Sequence, residues 1–231
     1  MLVTGAAMAG CAGAPTARQP GLGPTSAAAH TARLAATGQR RATLALVSGA
    51  ATITVSAAPL PGTLARAWTP TNANVRPQFL LTADRAQLFL DATGQSGAGA
   101  ISIQLNPDVT WQLQFTGGSS QTILSLANTK IASIDFTAGA SLIQMTLPRP
   151  SGTVTITLAG GAGQVSLTVP PGVPARLRLY GGASAATLGG VTHAGVSRGT
   201  VLSSPGWAQA ANRYDIDAPG GVGDISVTSQ G

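Results

Sequence analysis

Few side chains in this sequence could carry chemistry: seven Asp, no Glu, twelve Arg, one Lys (Lys130), two His and one Cys occur among 231 residues. Asp215 and Asp217 flank Ile216, and on an extended strand two residues two apart share one face. With Asp224 they are the nearest thing to a calcium ligand set, but beside turn glycines they read as solvated edge carboxylates. His30 and His193 are 163 residues apart and have no partner at metal-ligand spacing, so no metal and no cofactor is expected. Catalysis needs a nucleophile with its base, or carboxylates paired in a pocket. The remaining Asp are scattered singly, no Gly-x-Ser-x-Gly elbow occurs, and no catalytic residue is assigned. Arg176 and Arg178 share the face opposite Leu177 and Leu179, where they could protect an edge or meet a polyanion. Trp111 alternates with Leu113 and Phe115 and reads as core. Trp207, between Gly206 and Ala208, is the candidate for exposure and sugar stacking.

The elements that must position these residues are strands. Only 9% of the chain is charged, against about 25% in an ordinary soluble domain, so Ser, Thr, Asn and Gln must make the surface polar. With 30 Gly, many β-branched residues and no Glu, a helical bundle is excluded. From Arg41 onward apolar residues alternate with polar ones, the period of strands with one buried face. Apolar centres then recur at Ile103, Leu113, Leu124, Ile134, Met145, Ile156, Leu167, Leu177 and Leu188, every 10 or 11 residues, with Gly, Pro, Asn or Ser turns between most of them. The stretch holding Pro59, Pro61, Pro70 and Pro77 must be loop or edge. Gly97-Ala-Gly-Ala-Ile-Ser-Ile103 returns at Gly161–Leu167 and at Gly221–Val227, offsets of 64 and 60 residues, close to six steps of that spacing. Each Gly-x-Gly precedes a strand rather than a helix, which argues against a dinucleotide loop. Short strands, an in-phase motif and small side chains predict an all-β solenoid of single-stranded β-helix type, with the repeat unit as half a coil. Ile156 and Leu167 should both be buried. A β-sandwich is the alternative.

The charge is lopsided. Residues 1–83 hold six Arg and no acid, whereas beyond them six Arg and Lys130 balance seven Asp, so the whole net charge of +6 belongs to the amino end. A folded face that reads nucleic acid is therefore not expected. Residues 11–40 are mostly small and polar and read as a disordered tether, in which Ala27–Ala36 has the composition of a short helix. Arg18, Arg40 and Arg41 in or beside this tether, with Arg33, could contact anionic lipid or wall polymer. Ala9-Gly10-Cys11 resembles the lipobox of bacterial lipoproteins. That resemblance implies a signal-peptide remnant at 1–10, lipid on Cys11 and a membrane partner reached through that anchor.

The β-repeat region at 41–231 carries a second resemblance. Gly-x-Gly-x-(Ile/Val)-Ser-(Ile/Leu/Val), Val169-Pro-Pro-Gly-Val173 leading into Arg176–Leu179, and Tyr214–Val227 are similar to the toast-rack, adhesin-like domains of bacterial envelope proteins. The resemblance implies a β-solenoid on the outer side of the cytoplasmic membrane, linked to adhesion or envelope stress, with no catalytic residues. The expected function is a non-enzymatic envelope module that binds wall polymer, carbohydrate or another envelope protein. The competing expectation is a carbohydrate-acting β-helix lyase or hydrolase, which needs acids converging in one groove.

Overall fold

The computed structural model describes residues 28–82 and 85–229, in which there are nineteen strands and no helix. They form two sheets, of ten and nine strands, facing each other across one core. Most strands belong to two-strand coils, each giving one strand to the nine-stranded sheet and the next to the ten-stranded sheet. In order along the stack these coils are β6–β7 (Arg85–Ala92, Ala100–Leu105), β2–β3 (Arg41–Leu46, Ala50–Ala57) and β8–β9 (Thr110–Phe115, Ser119–Ser125). They continue with β10–β11 (Lys130–Phe136, Ala140–Thr146), β12–β13 (Thr153–Leu158, Ala162–Val169), β18–β19 (Arg213–Asp217, Val222–Ser229) and β14–β15 (Ala175–Leu179, Ala183–Leu188). Neighbouring coils pair in parallel throughout. Antiparallel strands close both ends: β1 (Ala28–Ala35), β4 (Thr63–Pro70) and β5 (Val75–Thr82) at one, β16 (Val191–Val196) and β17 (Thr200–Ser203) at the other.

The apolar period does what it predicts. Val55, Leu124, Met145, Leu167, Val227 and Leu188 stand in register across the ten-stranded sheet, and Leu44, Leu113, Ile134, Ile156, Ile216 and Leu177 across the other. All are buried except Leu188, which is partly so. Ile156 and Leu167, both fully buried, project into the core from opposite sheets. Phe115 and Phe136 stack between adjacent strands with ring centroids 4.6 Å apart. Pro77 lies on β5, an edge strand, where its missing N–H costs no ladder bond.

Glycine sets the turns leading from the nine-stranded to the ten-stranded sheet. Coils stack at the strand spacing of about 4.8 Å, so backbone lies on backbone there. A Cβ on Gly160 would fall 2.1 Å from the carbonyl carbon of Ala138 in the coil below, and Gly161 takes a φ of +74° that disfavours any other residue.

Three expectations need correction. The folded body begins before residue 41: Ala28–Ala35 is strand β1, not a tether or a helix, because pairing with β4 and burial of Leu34 override alanine's helix preference. Arg33, opposite Arg66 on β4, and Arg40, whose carbonyl accepts from the Thr110 N–H at 3.0 Å, therefore belong to that body, as does Arg41 at the head of β2. Third, the coils do not stack in chain order. Coil β2–β3 lies inside β6–β7, and β18–β19 inside β14–β15, so the motifs at 161–167 and 221–227 are direct neighbours, with Leu167 opposite Val227. Their 60-residue offset is six strands along the chain, but the excursion through β14–β17 returns to the same place, so it does not separate them by three coils in the stack. Cys11, Arg18 and the expected 1–10 segment lie outside the described residues.

Candidate functional site

Two groups of polar side chains gather on the nine-stranded sheet. The first joins β14, β18 and the loop before β18. Register sets Arg176 beside Asp215 and Arg178 beside Asp217. Arg176 donates from Nε and Nη2 to the two carboxylate oxygens of Asp215, at 3.0 and 2.7 Å. Arg178 does the same to Asp217 and also reaches Asp215 at 2.8 Å. Asp215 is only 6% exposed, so its charge is affordable only because two guanidiniums hold it. The hydrogen bond to Asp217, aided by both carboxylates against a desolvation cost, raises the Arg178 pKa above its ordinary value.

Trp207 completes this cluster. Its Nε1 donates to the Tyr214 carbonyl at 2.8 Å, and the guanidiniums of Arg176 and Arg213 lie 3.6 and 4.3 Å from its ring. The ring is half-buried and engaged by two cations, so a sugar would have to displace an arginine to stack there. Asp215 and Asp217 are not the solvated edge carboxylates expected from sequence. Arg176 and Arg178, candidates for polyanion contact, spend their strongest donors on those acids. The arrangement fixes the out-of-order coil β18 against β14. Tyr214 adds to it from inside: fully buried, it donates its hydroxyl to the Pro148 carbonyl at 2.6 Å, and burial raises its pKa well above the ordinary phenol value.

The second group is a groove of about 640 Å³ where β2, β8 and β10 begin. Arg41 and Lys130 both pair in register with Thr110, so they stand one strand to either side of it. The loop into β12 adds Arg149. All three cations are exposed, and among the described residues no carboxylate lies within ion-pair distance of any of them. Lys130 donates to the Asp108 carbonyl at 3.3 Å and Arg149 to the Pro171 carbonyl at 3.2 Å, which steadies both side chains and leaves further donors free. Thr43 and Gln112, bonded to each other at 3.1 Å, line the groove with Thr110, Ala132 and Ser151, while Ala42 and Ile131 beneath it turn their side chains into the core. Sequence reasoning singled out Arg41 but missed Lys130 and Arg149. The available signal was positional: Arg41 and Lys130 each open a strand, and strands one coil apart begin side by side.

A core of stacked parallel coils with two capped ends defines the class of β-coil proteins to which this molecule belongs. The family model described as the N-terminal domain of toast_rack, DUF2154, matches residues 25–168, and the chain belongs to that family. Among solved structures, a "putative cell adhesion protein" from Clostridium sporogenes ATCC 15579 is similar in fold, with a TM-score of 0.65 at 12% identity over 87% of this chain and 98% of its own. A "putative adhesin" from Bacteroides fragilis NCTC 9343 aligns over 85% of this chain and 95% of its own at 9% identity, but its TM-score of 0.22 supports no common fold. No curated protein matches the chain in sequence.

Proposed function

We propose that this protein is a non-enzymatic, adhesin-like module of the bacterial cell envelope, held outside the cytoplasmic membrane by lipid on Cys11. The observation that carries the non-enzymatic reading is the fate of the acids. A lyase or hydrolase needs carboxylates converging on open space, whereas Asp215 and Asp217, the pair that the fold brings together, are clamped by Arg176 and Arg178. The family and the cell-adhesion description of the C. sporogenes neighbour support a binding or scaffolding role. Envelope placement draws its support from the lipobox-like Ala9-Gly10-Cys11. One acyl chain gives only marginal membrane binding, so multiple chains are expected.

Metabolic labelling of producing cells with an alkyne fatty acid tests the anchor. The protein should take up label and sediment with membranes, and Cys11→Ser should lose the label and become soluble. A soluble, unlabelled protein with an unmodified Cys11 overturns the anchoring.

A further inference from the structure

We infer that the Arg41–Lys130–Arg149 groove is a binding site for a linear anionic polysaccharide. This deepens the binding-module reading and rests on it, but is independent of the lipid anchor.

The cations form a row instead of converging on a point. Arg41 and Lys130 occupy equivalent places on strands two steps apart, so their Cα atoms are separated by about 10 Å across the sheet, and Arg149 extends the row toward β12. A single phosphate or carboxylate would be gripped by one of them. A polymer with an anionic group on successive repeats can engage the row. Between the charges the lining offers Thr43, Thr110 and Gln112, partners for sugar hydroxyls, and the half-buried Ala132, a small apolar contact for a ring C–H face. The groove's 640 Å³ lies in the range of about 300–1,000 Å³ typical of ligand sites. No aromatic side chain lines it, which disfavours single-stranded nucleic acid, since that polyanion is held by base stacking. Lys130 and Arg149 are held by backbone carbonyls and not by acids, so binding breaks no ion pair.

The test is calorimetric titration of the full chain with oligogalacturonate, with a neutral maltooligosaccharide of equal length and with inorganic polyphosphate. Oligogalacturonate should bind, more weakly as salt rises, and the neutral sugar should not. The double variant Lys130→Gln/Arg149→Gln should weaken binding at least tenfold. The control Arg33→Gln/Arg198→Gln removes the same charge from exposed sites outside the groove and should change it less than twofold. Far-UV circular dichroism should be unchanged in both. Equal loss in the two variants would mean that net charge, not the groove, attracts the polymer and would overturn the site. Polyphosphate binding as tight as oligogalacturonate would overturn the polysaccharide. Failure of every anion to bind would overturn the inference and leave the membrane-partition result as it stands.

Discussion

At the scale of single residues, charge and burial are traded within short distances. Asp215 is tolerated inside because Arg176 and Arg178, neighbours on β14, both donate to its Oδ2, and Tyr214 because its hydroxyl finds Pro148. Tyr214 has a consequence for pH. Its pKa is raised in the folded state, so the folded phenol keeps its proton at pH values where the unfolded one, near 10, loses it. The associated stability is fully present below pH 10 and declines as pH rises further, by up to about 1.4 kcal/mol per unit. The urea midpoint should therefore fall between pH 9.5 and about 11. Tyr214→Phe should cost about 1 kcal/mol at pH 7 through the lost hydrogen bond, yet flatten the alkaline decline; an equally steep decline in the variant would assign it to another group. The Arg–Asp clamp was only half legible in sequence. Arg-x-Arg and Asp-x-Asp each announced one strand face, but 39 residues separate them, and only the out-of-order insertion of β18 makes them neighbours.

At the scale of elements, alternation and glycine do most of the specifying. The nine apolar centres predicted from spacing all face the core, because a strand with period two cannot turn one side inward without turning the other out. β1 escaped that logic: Ala28–Ala35 is too rich in alanine to show alternation, and only the partner strand defines it. Glycine at the tight turns is a packing requirement and can be tested. Gly160→Ala would set a methyl 2.1 Å from the Ala138 backbone, whereas a Cβ on Gly94 would meet nothing within 4 Å and carry only the strain of its φ of +78°. Gly160→Ala should destabilise by about 2–3 kcal/mol and Gly94→Ala by about 1 kcal/mol, measured by denaturant unfolding. Equal losses would show that the stacked turn can spread to admit a methyl group.

At the scale of the whole molecule, both ends of the stack are locked by chain from elsewhere. The coil β14–β15 touches the rest of the stack through β18–β19, which is made last. Such pairing is non-local, and its loop-closure entropy must be met before the contacts form. Removing residues 204–231 should therefore cost more than one coil. Hydrogen exchange should lose protection in β14–β17 as well, and in β12 and β13 as new edges. Full protection of β14 and β15 in the truncated chain would mean that they re-pair directly with β12 and β13, whose apolar registers are compatible. No periodicity could have revealed this order, because swapping two similar coils leaves the hydrophobic pattern unchanged.

The contrast between the molecule's two long margins bears on how such a protein can diversify. Along one, bare turns such as 116–118, 137–139 and 159–161 nest against each other, and an inserted residue would wedge the coils apart. Along the other, the returns at 106–109, 147–152, 170–174 and 204–212 differ in length and carry Asn, Pro, Arg and Trp. The cationic groove and the Trp207 loop both open on that second margin. One margin keeps the rungs in step, while the other can accept new loops, and with them new ligands, without disturbing a single rung.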